Sequence, residues 1–353
     1  MTEQAVTDDP VVVMGAPGIS GLSFRRYRGT SDHAEMVRVH NAARIADRDT
    51  DITTVPGLTA EYASLTNCDP YQDCLMAEVA GRLVGYSKVD WVDENTGGRS
   101  YGAVGYIEPD WRRKGIGRTM LRKNEERMRQ IASGHAHDRP RWLASWGSDP
   151  NVGNNALMEQ EGYVPARYFY EMIRADLDAI LDVPLPDGLE VRTVTQEHIR
   201  PIFEADVEAF RDHWGWVDAS ETGFRQWTTE PEFDPSMFVI AWDGDQIAGG
   251  VLNGIYPAEN EQFGYRRGWL NSVFTRRPWR RRGLAAALIS RSLVLVRERG
   301  MTSAALGVDA ENPQGALHLY EKAGFAIGTS ATAFRKPFDP AIGPEWGNEP
   351  RLG

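Results

Sequence analysis

The chain has 353 residues, of which 41% are hydrophobic and 25% are charged, and it carries a formal net charge of −11 at pH 7. This length favours two domains of ordinary size, and this composition excludes intrinsic disorder, collagen-like repeats and a coiled coil as the main theme. The acidic balance disfavours general binding to nucleic acid phosphates and favours a cationic small molecule as partner.

Three features of the sequence bear on the cellular compartment of the protein: its apolar runs, its first residues and its cysteines. No stretch approaches the ~18 apolar residues of a membrane span, and the start, MTEQAVTDDP, is acidic where a secretory signal is basic and then apolar. Cys68 and Cys74 are too few for a disulfide framework or a Cys-rich zinc site, so we predict free thiols. We expect a cytoplasmic protein without a membrane segment.

The first half of the chain reads as mixed strands and helices. Residues 1–20 lack periodicity and are predicted to be a loose tail. A short strand over 22–28 precedes a helix over 32–46, and a polar turn at 80–82 between apolar runs predicts a hairpin. A basic loop that contains glycine then opens a long helix over 117–131.

The second half follows the same order after a linker at 183–188, whose prolines and glycine cannot continue a helix. A strand over 189–194 precedes a helix over 196–210. The turn at 243–245 predicts a second hairpin, and a second basic loop opens a helix over 285–299. Both halves therefore mix strands and helices, which indicates an α/β fold class.

Two similar heptapeptides show the duplication most clearly. WRRKGIG begins at Trp111 and WRRRGLA begins at Trp279, so the copies are 168 residues apart. A Gly-aromatic pair follows in each copy, at 162–163 and at 324–325. We predict two tandem domains, a first copy over 21–182 and a second copy over 183–338, followed by a loose tail over 339–353.

The repeated loop has the chemistry of an anion site. Glycine at close positions lets backbone N–H groups approach an anion at the positive end of a helix dipole, and phosphate is the natural guest. Neither copy matches the P-loop or the dinucleotide fingerprint, which argues against nucleotide hydrolysis and hydride transfer. The alternative is a solvated basic patch, although cations at a helix start oppose the dipole.

The pattern Arg-x-x-Gly-x-Gly at 112–117 and Arg-x-x-Gly-x-Ala at 280–285 resembles the pyrophosphate loop of the GNAT superfamily of acetyl-CoA-dependent N-acetyltransferases. The resemblance covers roughly 20–176 and 187–337, and Asn312, Ala316 and Tyr320 strengthen it in the second copy. It implies a splayed, mixed β-sheet flanked by helices in each domain. The tandem arrangement is similar to that of the mycothiol synthase family, in which the C-terminal domain is the active one.

The same resemblance implies a set of coenzyme-binding residues. The strand before the loop would hold the pantetheine arm, and the loop would hold the pyrophosphate. In the second copy these are Val273, Phe274, Thr275, Arg280, Arg281, Arg282, Gly283, Leu284, Ala285, Ala286 and Asn312. In the first copy they are Tyr106, Ile107, Arg112, Arg113, Lys114, Gly115, Ile116 and Gly117. The alternative for Val273 and Thr275 is a buried strand without a ligand.

The general acid distinguishes the copies. Tyr320 lies four residues before Gly324, where this superfamily commonly places the phenol that protonates the leaving thiolate. The first copy has Met158 at the matching position, and a thioether cannot donate a proton. We predict that the second copy is catalytic, while the first binds coenzyme without turnover or serves as a scaffold. The alternative for Tyr320 is an aromatic side chain that packs on the core.

The general base is harder to assign, because the strand over 268–273 carries no carboxylate. After the first helix of the second copy, Asp212 is a candidate to attract an amine and His213 is a candidate to take its proton. Trp214 and Trp216 are candidates for the wall of an acceptor site that favours cations. The alternative is that these residues cap and pack a turn. No spacing of His, Asp or Glu predicts a metal site.

The predicted function is transfer of acetyl from acetyl-CoA directly to a primary amine of a small molecule, such as an amine antibiotic or an amino sugar, by a monomer or a homodimer. Two alternatives stay open. One is a noncatalytic, regulatory tandem protein that binds acyl-CoA, and the other is a transferase of a different acyl group.

Overall fold

Contacts between residues divide the chain into two units that cut across the sequence repeat. The computed structural model describes residues 10–95, 97–211, 213–215, 220–312 and 315–338. Within these ranges the first unit comprises residues 10–166 and 332–338, and the second comprises residues 167–331. The predicted boundary between 182 and 183 follows the repeat, whereas the contacts divide at 166 and 167.

Both units combine strands and helices, as the mixed pattern predicts. The strands and helices up to the end of the first copy are β1 Leu22–Arg25, α1 His33–Ala46, α2 Val55–Ala63, α3 Pro70–Asp73, β2 Cys74–Val79, β3 Arg82–Asp93, β4 Arg99–Ile107, α4 Ile116–Ser133, β5 Arg141–Ser148, α5 Val152–Gln160 and β6 Val164–Arg174. Those of the second copy are β7 Glu190–Arg192, α6 Ile199–Phe210, α7 Glu221–Thr229, β8 Phe238–Asp243, β9 Gln246–Ile255, α8 Pro257–Phe263, β10 Arg267–Thr275, α9 Leu284–Glu298, β11 Ser303–Asp309, α10 Ala316–Lys322 and β12 Ala326–Pro337.

Each unit is built on a mixed sheet. In the first unit the order is β1-β2-β3-β4-β5, antiparallel except for the parallel pair β4-β5, and the end of β12 lies beside β5. In the second unit the order is β7-β8-β9-β10-β11 followed by the end of β6, with β10-β11 as the parallel pair. The two predicted hairpins are β2-β3 and β8-β9.

The last strand of each copy contributes to the core of the other unit. Residues 169–174 of β6 pair with β11 from Asp309 to Ala304. Phe334 of β12 is buried in the cluster of the first unit that includes Tyr101 and Leu143. A sequence repeat marks where a copy begins and ends along the chain, but it does not say which sheet the last strand joins.

The central strands separate in each unit. β10 and β11 pair from Arg267–Ser303 to Trp269–Ala305, and β10 continues to Thr275 paired with β9. In the first unit β4 and β5 pair over 99–102, and β4 continues to Ile107 paired with β3. The ends of β10 and β4 therefore face a gap on one side, which is the splay that the resemblance implies.

The described ends of the chain differ from the predicted loose tail in one respect. Residues 10–19 lie against the first unit, where the Val11 N–H donates to the carbonyl of Phe24 at 2.7 Å and Val11, Val13 and Ile19 pack on buried residues. Residues 1–9 and 339–353 lie outside the described residues. Within the described ranges, the helices are too short or too polar to cross a membrane.

A buried ion pair fixes the end of β12 in the first unit. One nitrogen of the Arg335 guanidinium donates to both carboxylate oxygens of Glu94, at 2.9 and 2.8 Å, and the guanidinium lies 4.1 Å from the centre of the Trp142 ring. The side chains of Arg335 and Glu94 are only 2% and 4% exposed. A buried pair stabilises little overall, but loss of one partner is costly because the other charge stays in a low dielectric.

We predict that Arg335→Ala lowers the free energy of unfolding by about 3–5 kcal/mol, because the variant keeps the buried Glu94 carboxylate without its guanidinium. Urea unfolding monitored by tryptophan fluorescence measures this loss. Lys123→Ala is the control, since Lys123 pairs with a half-exposed Glu126 and its loss should change stability little. Equal stability of the two variants would contradict this role for the buried pair.

Candidate active site

A cavity of about 730 Å³ opens in the second unit where β10 and β11 separate. Its lining includes most of the second-copy residues singled out from the sequence: His213, Trp214, Val273, Thr275, Arg280, Arg281, Gly283, Leu284, Ala285, Ala286, Asn312 and Tyr320. The remaining lining comes from β6, α6, β10, β11, α10 and the turn before the loop. The fold thus gathers one loop, one strand end and one phenol around a single space.

The loop at the start of α9 has the backbone of an anion cradle. Gly283 is the N-cap of α9 with φ of 84°, and Arg281 has φ of 61°, both in the left-handed region. Alternating conformations of this kind turn successive N–H groups toward one point, in front of the positive end of the helix dipole. A Cβ added at Gly283 would meet nothing within 4 Å, so a ligand can approach the backbone there.

The first copy has the same backbone device. Gly115 caps α4 with φ of 91° and Arg113 has φ of 58°. A Cβ at Gly115 would lie 3.4 Å from Pro17. Ile116 is buried in the core, and the Lys114 ammonium lies 4.5 Å from the centre of the Trp111 ring.

The arginines of the two loops have different tasks. Arg280 donates to the carbonyls of Thr275 and Ala209, both at 3.0 Å, so it ties the end of β10 to the end of α6. Arg281 lines the cavity, whereas the exposed Arg282 donates to the carbonyl of Asp187 at 3.5 Å. Arg281 is therefore the loop side chain best placed to meet a phosphate.

Arg112 repeats the tie made by Arg280. It donates to the carbonyls of Ile107 and Ala43, both at 3.1 Å, and also forms a bidentate pair with Asp47 at 2.5 and 2.9 Å. The side chain of Tyr106 is enclosed by Arg44, His40 and Tyr86, and burial raises the pKa of the Tyr106 phenol. Gly117 sits where a Cβ would lie 3.4 Å from the Ile107 side chain.

The end of β10 contributes lining residues to the cavity and one buried polar atom without a partner among the described residues. Val273 and Thr275 line it, and the buried Thr275 hydroxyl oxygen has no hydrogen-bond partner in the part of the chain that the structure describes. A buried polar atom without a partner is costly, which fits a site that a polar ligand fills. Phe274 turns its side chain to the opposite face, where it is 2% exposed and packs against α6, so only its backbone is available to a ligand.

Tyr320 reaches the cavity from α10. Its side chain is 6% exposed, with its ring 6.2 Å from that of Phe325, and burial raises the pKa of the phenol to about 12. The phenol therefore keeps its proton at neutral pH and can donate it. Met158, at the matching position of the first copy, is buried in the core of the first unit.

Part of the cavity lining is aromatic. Trp214 faces Phe169 with ring centres 6.1 Å apart, and His213 contacts the ring of Phe210 at 4.4 Å. All four line the cavity. Asp212 and Trp216, predicted for the acceptor site, lie outside the described residues.

Several cavity residues were not foreseen from the sequence. Phe169 belongs to the last strand of the first copy, and Asp309 lines the cavity while held by Arg167 at 2.9 Å. Ser272 also lines it, and its hydroxyl donates to Asp206 of α6 at 2.5 Å. Burial raises the pKa of Asp206 to about 6, although the Ser272 hydrogen bond opposes this shift. No periodicity or motif marks a carboxylate inside an amphipathic helix as special.

We predict that Arg281→Ala weakens binding of coenzyme A by up to about fivefold at low salt, because an exposed charge pair contributes about 0.2–1 kcal/mol. The loss should shrink as ionic strength rises, since salt screens the attraction. Calorimetric titration at two salt concentrations measures both effects. Arg282→Ala is the matched control with its side chain outside the cavity lining, and an equal loss in both variants would contradict the distinction.

The sequence comparisons agree with this geometry. The profile described as the acetyltransferase (GNAT) family matches residues 42–151 and 199–325, one segment in each copy. A mycothiol acetyltransferase from Geodermatophilus obscurus is 30% identical over 259 residues, covering 72% of this chain and 79% of that protein. One from Salinispora arenicola is 27% identical over 314 residues, covering 86% and 88%.

Solved structures with this fold are similar over nearly the whole chain. A GCN5-related N-acetyltransferase from Sphaerobacter thermophilus superposes with a TM-score of 0.68 at 26% identity, covering 92% of this chain and 98% of that one. A tandem GNAT protein from the clavulanic acid biosynthesis pathway superposes with a TM-score of 0.63 at 17% identity, covering 91% and 100%. The predicted tandem architecture, similar to that of mycothiol synthases, is confirmed. The chain belongs to the acetyltransferase (GNAT) family, as a tandem-domain acyltransferase whose acyl donor is acetyl-CoA.

Proposed function

We propose that this protein transfers acetyl from acetyl-CoA directly to a primary amine of a small molecule, and that the second unit carries out the reaction. The observation that carries the proposal is the convergence on one cavity of the left-handed loop, the free end of β10 and the protonated phenol of Tyr320.

The donor half of the proposal assigns each part of coenzyme A to one element. The loop amides around Gly283, with Arg281 beside them, hold the pyrophosphate. The end of β10 holds the pantetheine arm, where Thr275 offers a hydroxyl that lacks a partner among the described residues. A backbone N–H of this strand end polarises the thioester carbonyl, which stabilises the developing oxyanion by on the order of 3 kcal/mol.

The chemistry needs no covalent enzyme intermediate. The amine nitrogen attacks the acetyl carbon while both substrates lie in one cavity, and this proximity lowers the barrier. As the tetrahedral intermediate collapses, the attached nitrogen releases its extra proton to solvent, the C–S bond breaks and its electron pair stays on sulfur. Tyr320 supplies the proton that makes the free thiol, and the phenol is then restored by a proton from solvent.

The acceptor is proposed to be cationic and small. The aromatic residues Phe169, Phe210 and Trp214 line the cavity, and aromatic rings favour a cation beside their faces. Asp309 lines the same space, with its carboxylate paired to Arg167, and the chain as a whole carries a net charge of −11. The relatives are named mycothiol acetyltransferases, and this name supports precursors of thiol-containing sugars as candidate acceptors.

The direct test is release of free thiol from acetyl-CoA across a panel of polyamines, aminoglycosides and amino sugars, with mass spectrometry of the products. An acetylated amine supports the proposal. Coenzyme that protects the protein against heat, without thiol release for any amine, would instead favour a protein that binds acyl-CoA without turnover.

We predict that Tyr320→Phe slows turnover by roughly ten- to ten-thousand-fold, the range for loss of a general acid. Coenzyme affinity should change far less, because the ring and its packing remain. Steady-state kinetics with a free-thiol readout measures the loss, and a thermal melt confirms the fold. Tyr168→Phe is the control, since Tyr168 is an exposed tyrosine of the same unit. If Tyr320→Phe kept the parent activity, Tyr320 would be an aromatic residue of the core. The thiolate would then leave without a general acid.

A pair of glycine variants tests which unit is active. Gly283→Val and Gly115→Val introduce the same β-branched side chain at the same left-handed backbone position, so the strain is matched. We predict that Gly283→Val abolishes turnover, because the side chain blocks approach of the pyrophosphate, while Gly115→Val leaves it largely intact. Both folded variants are compared by thiol release. The opposite pattern would assign the reaction to the first unit.

A further inference from the structure

Ser272 and Asp206 form a short polar path from the cavity into the second unit. Ser272 lines the cavity one residue before Val273, at the strand end proposed to hold the thioester. Its hydroxyl donates to Asp206 at 2.5 Å, and Asp206 lies on α6, the helix packed across β9 and β10. The hydroxyl oxygen keeps lone pairs that can accept a proton from a group in the cavity.

The carboxylate and the histidine that line this cavity, Asp309 and His213, already contact other side chains. Asp309 is engaged by two nitrogens of Arg167 at 2.9 Å and also accepts from the Glu311 N–H at 3.0 Å. Those bonds occupy both oxygens of the Asp309 carboxylate. His213 packs edge-on against Phe210. Asp206 differs from Asp309 because its interaction with Ser272 is a bond to a neutral hydroxyl.

Resting on the proposed function, we infer that Asp206 removes the proton of the acceptor amine through Ser272, so that the pair supplies the base that β10 itself lacks. The ammonium N–H gives its proton to the Ser272 oxygen, and the Ser272 proton passes to Asp206. The amine lone pair that this frees forms the N–C bond to the acetyl carbon. After transfer, Asp206 returns its proton to solvent through the same path.

The surroundings of Asp206 are consistent with a group that titrates close to neutral pH. Burial raises its pKa to about 6, and the Ser272 hydrogen bond is the opposing influence. Charged groups on α6 and on the segments packed against it have partners of their own. Arg276 pairs with Glu208, Arg280 donates to the Ala209 carbonyl, Arg200 pairs with Glu221, and His198 accepts from the Thr195 N–H.

If Asp206 is the base, kcat/KM should depend on pH in a specific way. Below about pH 6 Asp206 is protonated and cannot accept, so kcat/KM of the parent should fall as the pH drops through this value. Above about pH 6, kcat/KM of the parent should level off, because Asp206 removes the proton of the ammonium group. A variant without the base depends on free amine and should keep rising toward the amine pKa of about 10.4.

The experiment compares Asp206→Asn, Ser272→Ala and the parent on an amine that the parent acetylates, over pH 5–10. Asp206→Asn should lose about 10²- to 10⁴-fold in kcat/KM at pH 7.5. Its kcat/KM should also no longer show the separate fall that the parent shows near pH 6. Ser272→Ala should lose on the order of tenfold, because a water in the space of the hydroxyl can carry the proton. Glu204→Gln, on the exposed side of the same helix, should match the parent.

Coenzyme binding and thermal melting separate a chemical role from a structural one. Asp206→Asn should bind coenzyme A with parent affinity and melt near the parent temperature. A folded Asp206→Asn variant that keeps the parent rate and the fall of kcat/KM near pH 6 would overturn the role of Asp206 and leave the proposed function standing. A parent protein that acetylates no amine would overturn the proposed function and, with it, the inference.

Discussion

The parting of β10 from β11 after Trp269 is the constraint on which the second unit depends. Up to that residue the two strands are joined by ladder hydrogen bonds, and beyond it β10 continues against β9 alone. The polar groups along the free edge of β10 must then find partners outside the sheet, since buried backbone groups without partners are costly. The cavity lies at this opening, and the loop that follows β10 and the phenol of Tyr320 line it.

The loop is positioned by a side chain rather than by the sheet. Arg280 binds the last carbonyl of β10 and a carbonyl near the end of α6, so the start of α9 cannot shift relative to either element without breaking these bonds. Arg112 makes the same two bonds in the first copy. In both copies the first basic residue of the motif thus holds the backbone in shape, and the left-handed residues after it aim the amides.

The sequence predicted the fold well because the fold depends on local patterns. Hairpin turns, glycine positions and helix starts are short-range features, and their repetition 168 residues apart marked two related domains. The loop residues and Tyr320 were found for the same reason, since each lies at a fixed distance from a glycine. Their roles in the reaction stay predictions, but their meeting in one cavity was foreseeable.

Residues that depend on tertiary contacts were out of reach. Asp206 lies inside α6, an amphipathic helix, and what distinguishes it is the hydrogen bond from Ser272, 66 residues later in the chain. Phe169 was assigned to the first domain because it precedes the linker, yet it lines a cavity of the second unit. Neither position carries a local pattern that a single sequence can reveal.

The division of β6 and β12 between the units has a consequence for the duplication itself. A chain cut at the linker would leave the first copy without Phe334 and Arg335, with the carboxylate of Glu94 enclosed in its core. The second copy would lose the Phe169 wall and the strand that pairs with β11. The two copies have therefore ceased to be separable modules. Neither copy expressed alone would have a complete sheet and core in its own unit, because each unit takes its last strand from the other copy.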